Sequence, residues 1–184
     1  KKHDIIENKK KIFCIGLHKT GTTSLHHHAL NHKLKATHSL EWVSDYSLIE
    51  NYDFFSDGGS HYDNIKEINF NELYNKYKNS FFIINIRDVK SWIISKLIHA
   101  GWNQDTKILP DKKKYNHNNW KHKSYLNIQL FIKHYYNRYI KILEFFIDKQ
   151  DKSCIVDICN NKINNLKTVF DSDNINYIKK TTVK

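Results

Sequence analysis

Between residues 11 and 25 the chain reads KIFCIGLHKTGTTSL, with two lysines, two glycines and four hydroxyl residues in close order. The apolar run at 12–15 leads into Gly16; Gly21 follows, and Thr22, Thr23 and Ser24 come directly after it. A strand, a glycine-bounded turn and a helix opening on hydroxyls make an anion site. Backbone N–H groups of residues 20–24 converge on a phosphate at the positive end of the helix dipole. Gly21 lets the backbone approach the anion, and Lys19 adds a point charge. The nucleoside-triphosphate version of this loop is G-x-x-x-x-G-K-[ST]. Here Thr22 takes the place of that lysine and Lys19 stands two residues before Gly21. The displaced charge suits a different anhydride.

A second group with chemistry lies at 81–97, FFIINIRDVKSWIISKL. Arg87 closes an apolar strand pattern, and Ser95 follows eight residues later on the next helix. All but two of the chain's 30 basic residues are lysine, the exceptions being Arg87 and Arg138. A chain that so rarely uses arginine has reason to keep one where a planar, bidentate phosphate grip is needed. The plain alternative for Arg87 is a surface ion pair with a nearby carboxylate.

Together, GLHKTGTTSL and the Arg87–Ser95 pair resemble the two signatures of sulfotransferases that use 3′-phosphoadenosine 5′-phosphosulfate (PAPS). That family has lysine or arginine two residues before the second glycine, then hydroxyl residues. Its second signature is a strand ending in arginine with a serine eight residues on. The resemblance implies that His18, Lys19, Thr20, Gly21, Thr22, Thr23 and Ser24 cradle the 5′-phosphosulfate. It gives Lys19 the bridge between the 5′-phosphate and the sulfuryl group, and it gives Arg87 and Ser95 the 3′-phosphate. Asp88 and Trp92 resemble the subfamily that reads R-D-x-x-x-W, where the tryptophan packs the helix. The likeness runs over residues 11–100 by motif and beyond 125 only by general layout. Two departures stand out: His18 replaces a proline or small residue, and Ser24 stands where cytosolic members carry an adenine-stacking aromatic.

Sulfuryl transfer needs charge stabilisation on the departing phosphate oxygen and a base for the acceptor's proton. Lys19 and the helix N-terminus would supply the first, with no metal demanded. For the base there are three candidates: Glu41, ranked slightly first, then His38, with Asp57 behind. Heparan-type and tyrosyl-protein members carry a glutamate some twenty residues after the loop lysine, about where Glu41 sits; cytosolic members use histidine. Each candidate also has a bland reading as a cap or surface group, since HSLE at 38–41 reads as a capping box with Ser39 as N-cap.

These residues have to be held by a scaffold. Runs rich in Ile, Phe and Val alternate with helical patterns, which predicts an α/β fold. The expectation is a three-layer, P-loop-like domain over 1–184, with a central, mainly parallel sheet of about five strands flanked by helices. Strands are predicted at 12–16, 34–38, 52–57, 80–87 and 153–158. Helices are predicted at 22–32, 40–50, 69–77, 89–100 and 162–170. A long helix is marked on one face by Ile128, Ile132, Tyr135, Tyr139, Ile142 and Phe146. Residues 102–123 read as a lysine-rich loop, a lid over the cofactor or a rim for an acidic or sugar acceptor. Lys107, Lys112, Lys113, Lys114, Lys121 and Lys123 gather there, with Trp102, Tyr115 and Trp120 between them.

Composition sets the bounds. The chain has 184 residues, 40% hydrophobic and 14% aromatic, enough for a folded core. No apolar stretch reaches the ~20 residues of a membrane span. A cytoplasmic location is expected, or the Golgi lumen if an N-terminal anchor has been removed. The net charge of +11 invites a nucleic-acid reading. Lysines scattered among asparagine, isoleucine and tyrosine reflect codon bias instead, so no nucleic-acid partner is expected. Cys14, Cys154 and Cys159 lack metal-ligand spacing and read as free thiols. His26, His27 and His28 point in different directions on a helix, and only His28 and His32 share a face. The expected partner is a sulfate acceptor, a carbohydrate, small molecule or tyrosine. Two other readings compete: a P-loop kinase, and a basic nucleic-acid-binding protein with a vestigial loop.

Overall fold

The apolar runs become the strands of one sheet. The computed structural model describes residues 10–58, 67–99 and 124–157. Its strands are β1 (Lys11–Cys14), β2 (Ala36–His38), β3 (Phe54–Ser56), β4 (Ser80–Ile86) and β5 (Ser153–Asp157). They lie in the order β2-β3-β1-β4-β5, and every pairing is parallel. Strands covered on both faces read as unbroken hydrophobic runs, and β1, β3 and most of β4 are buried throughout. Lys11 is the charged exception in β1; it turns Nζ to the carbonyls of Ile49 and Tyr52, at 2.7 and 2.6 Å.

Alternation along β1 divides the core in two. Ile12 and Cys14 face Leu25 and Ala29 of helix α1 (Thr22–Asn31). Phe13 faces the other way, its ring stacked between Phe55 and Phe82 at 4.9 and 5.6 Å. On that side the sheet is covered by α2 (Glu41–Ser44), α3 (Phe70–Lys76), α4 (Val89–His99) and α5 (Ser124–Phe146). The result is an α/β sandwich of three layers with the sheet in the middle.

Two expectations are corrected. The helix predicted over 40–50 is split into α2 and a short 3-10 helix, Tyr46–Asn51. Asp45 breaks it: its backbone is extended, and its Oδ1 accepts the Ser47 N–H and hydroxyl at 2.9 and 2.6 Å. Short carboxylates offer the backbone such local alternatives to a helix. In α5, Tyr139, Ile142 and Phe146 are buried as the periodicity predicts, but Ile132 is exposed. There the packing passes to Phe131, which meets Trp92 of α4 edge-on at 6.2 Å. The expected helix at 162–170, Cys159 and the lysine-rich loop at 102–123 lie outside the described residues.

The topology creates a crevice. From β1 the chain leaves for β2 and β3 on one side, and from β4 for β5 on the other. Parallel α/β sheets bind ligands outside the carboxyl ends of strands where the connections diverge in this way. The loop after β1 and Arg87 after β4 both emerge there.

Candidate functional site

The loop at 15–21 is fastened from below before it turns. The Gly16 N–H donates to Asn85 Oδ1 at 3.0 Å, and Asn85 Nδ2 donates to Thr20 Oγ1 at 2.5 Å. The Thr20 hydroxyl in turn donates to the Leu17 carbonyl. A Cβ on Gly16 would stand 2.0 Å from the Asn85 carbonyl oxygen, so β1 and β4 approach here only because residue 16 lacks a side chain. Lys19 and Gly21 both take the left-handed conformation, with φ of 63° and 89°.

Gly21 is the N-cap of α1 and brings no side chain to its free N–H groups, and the first turn holds no acidic residue. The positive end of the helix thus has no charge or cap from its own N-terminal residues, and the carboxylate that meets its first turn is that of Asp57, from the end of β3. Thr22 is buried, while Thr23 and Ser24 are exposed at the mouth.

Arg87 reaches across from β4. Its Nη1 donates to the Lys19 carbonyl at 3.3 Å, whereas its buried Nε has no partner among the described residues. A guanidinium has five N–H donors, so much of its binding capacity remains for a ligand. The carbonyl of Arg87 is held by the Tyr135 hydroxyl at 2.5 Å. Asp88 caps α4 by accepting the Ser91 N–H at 2.9 Å, and these backbone bonds hold its carboxyl below the usual carboxylate range. Ser95 lies half-buried on α4, one turn before His99. His99 Nδ1 is 3.5 Å from Lys19 Nζ, so the α4 face that carries both residues flanks the lysine.

The three base candidates part company. His38 ends β2 with its Nε2 3.3 Å from Thr23 Oγ1 and 3.8 Å from Asp57 Oδ2. Its Nδ1 lies 2.9 Å from Ser56 Oγ. Asp57, with φ of 62°, accepts the Thr22 hydroxyl through Oδ1 at 3.1 Å. His38 and Asp57 thus meet the first turn of α1. Glu41 does not: it is exposed at the start of α2, with its N–H donating to Ser39 Oγ at 3.1 Å. Ser39 serves that single bond and Leu40 is the N-cap, so the capping box at 38–41 is not formed as predicted.

His18 turns inward. It is 2% exposed, its ring packs edge-on against Trp92 at 6.4 Å, and its carbonyl accepts the Trp92 indole N–H at 2.9 Å. Trp92 therefore packs α4 and fixes the loop backbone together.

Sequence reasoning passed over several residues that hold this site. Asn85 was signalled by a lone amide inside an apolar strand run. Tyr139 donates to the Asn85 carbonyl at 2.7 Å and receives the Leu17 N–H at 3.3 Å. Arg138, the other arginine, spends its fork on the carbonyls of Ile15 and Ile68, at 3.2 and 3.3 Å. One helix, α5, thus pins the ends of both β1 and β4.

Among the described residues no three His, Cys, Asp or Glu side chains gather as a metal site, and His32 Nδ1 is paired with the His28 carbonyl at 2.9 Å. No described helix is long and apolar enough to cross a membrane. No protein-family model matches the chain, and comparison with curated proteins finds no match.

Proposed function

We propose that this protein is a sulfotransferase that moves the sulfuryl group of PAPS to a hydroxyl or amine acceptor. The observation that carries the reading is the meeting of Arg87 with the Lys19 carbonyl across the β1–β4 crevice. Two stretches 68 residues apart in the chain meet there, beside the N-terminus of α1, whose N-cap Gly21 makes no side-chain bond.

In this reading the N–H groups at the start of α1 hold the 5′-phosphate, and Lys19 neutralises charge on the oxygen that departs with it. Arg87 and Ser95 take the 3′-phosphate, Arg87 through the N–H donors it does not spend on the protein. PAPS supplies the activated sulfuryl group. His38 receives the acceptor's proton at Nε2 as the bond from sulfur to the acceptor oxygen or nitrogen forms and the S–O bond to phosphate breaks. Asp57, 3.8 Å away, then stabilises the imidazolium. His38 is preferred to Glu41 because it stands at the first turn of α1 and Glu41 does not.

A second reading has its own support. The Thr22 hydroxyl donates to the Asp57 carboxylate at 3.1 Å beside the loop, a hydroxyl and a carboxylate of the types with which P-loop kinases and NTPases hold Mg²⁺, although Thr23, not Thr22, stands at the position of their metal-binding hydroxyl. Against it stands the lack of a lysine at position 22. Calorimetric titration with 3′-phosphoadenosine 5′-phosphate (PAP), ATP and AMP, with and without Mg²⁺, separates the two. The sulfotransferase reading expects metal-independent binding of PAP; tight binding of ATP that requires Mg²⁺ would favour the kinase.

A further inference from the structure

We infer that Ser56 is a positioning residue that fixes His38 in the tautomer protonated at Nδ1, leaving Nε2 bare toward the mouth. The consequence for catalysis rests on the reading of His38 as the acceptor's base; the tautomer itself does not.

Ser56 is fully buried at the end of β3, directly beside His38 in the parallel register of β2 and β3. Its Oγ lies 3.3 Å from the Thr37 carbonyl oxygen and 2.9 Å from His38 Nδ1. A carbonyl only accepts and a hydroxyl carries one proton. Both contacts are hydrogen bonds only if Ser56 donates to Thr37 and accepts from an Nδ1–H of His38. The opposite assignment sets a lone pair of the buried hydroxyl against a part-buried carbonyl oxygen, a contact that costs free energy. The bond made by one ring nitrogen decides which nitrogen carries the proton.

The groups on the other side of the ring agree. Nε2 faces Thr23 Oγ1 at 3.3 Å, and the Thr23 hydroxyl is able to donate to a bare nitrogen. Asp57 Oδ2, at 3.8 Å, is beyond hydrogen-bond length, and the same carboxylate accepts the Thr22 hydroxyl through Oδ1. His26 is a further titratable neighbour among the described residues, with its ring 5.5 Å from that of His38. Thr23 is exposed, so an incoming acceptor hydroxyl can take its place at Nε2. The chain Thr37 carbonyl, Ser56 hydroxyl, His38 Nδ1 thereby aims a proton-accepting nitrogen out of the protein.

The test is a long-range ¹H–¹⁵N correlation spectrum of the full chain labelled at histidine, recorded where His38 is neutral. Assignment comes from His38→Gln. The expected result in the unsubstituted protein is a protonated Nδ1 and a bare Nε2 at His38; a protonated Nε2 overturns the inference without any Ser56 variant. Ser56→Ala should shift His38 toward the Nε2–H form and Ser56→Thr should restore Nδ1–H. An unchanged tautomer in Ser56→Ala also overturns it. If PAPS turnover is found, Ser56→Ala should lower kcat at least about tenfold and alter its pH profile, with KM for PAPS unchanged. A protonated Nδ1 that responds to Ser56→Ala, in a protein that turns over no PAPS, upholds the inference and counts against the sulfotransferase reading alone.

Discussion

Asn85 and Gly16 are locked together: the Gly16 N–H donates to Asn85 Oδ1 at 3.0 Å, and the Asn85 backbone leaves no room for a Cβ on Gly16. The loop at 15–21 therefore starts from a fixed point on β4. Gly16→Ala should destabilise the fold by about 3 kcal/mol, because the new methyl meets backbone that cannot swing aside. Asn85→Leu should cost about 3 kcal/mol as well, since it leaves the buried Gly16 N–H without its acceptor and takes a donor from the Thr20 hydroxyl. Urea denaturation followed by far-UV circular dichroism measures both, and an unchanged midpoint in either contradicts the account of the loop's anchoring.

Trp92 links α4 to the loop through one bond, its indole N–H to the His18 carbonyl at 2.9 Å. Trp92→Phe keeps most of the packing and removes the donor. Leaving that buried carbonyl unpaired should cost about 1–3 kcal/mol in the same denaturation experiment.

Lys19 is assigned a role in transfer more than in binding. Lys19→Ala should lower PAPS turnover at least about 100-fold, as loss of one preorganised charge-stabilising group does, while PAP affinity falls no more than about tenfold. Comparable loss of both would move Lys19 from catalysis to binding.

His26 and His28 set a pH response of the fold. Burial, then the neighbouring His38 and His27, holds His26 below its ordinary 6.5; burial and His32 do the same for His28. Both are kept neutral by folding, so their contribution is intact above about 6.5 and is lost as the pH falls through that value toward their lower folded pKa values. The melting temperature should drop between pH 7 and pH 5, and the combined His26→Gln, His28→Gln variant should show a shallower drop. An equal slope in the two proteins refutes the assignment.

The strands were legible because parallel, doubly covered strands are apolar over most of their length, as KIFC and SFFIINI are apart from Lys11, Ser80 and Asn85. The loop was legible because its chemistry is written in residue types at fixed spacing. What α5 does was not. Tyr135, Arg138 and Tyr139 act on the backbone carbonyls of Arg87, Ile15 and Asn85, and a backbone acceptor leaves no mark on the sequence that carries it. The split after α2 was hidden for a related reason: Asp45 suits both a helix surface and a cap, and only its bonds to Ser47 decide between them. Glu41 and His38 stood three residues apart with similar claims, and the end of β2 separates them.

The central claim is that the crevice between β1 and β4 holds a nucleotide carrying a 3′-phosphate, and calorimetric titration with PAP and AMP without Mg²⁺ tests it most directly. The account predicts that PAP binds and AMP binds far more weakly, and that Arg87→Ala lowers PAP affinity about 100-fold with little effect on AMP. AMP binding as tightly as PAP, or PAP affinity untouched in Arg87→Ala, would contradict it.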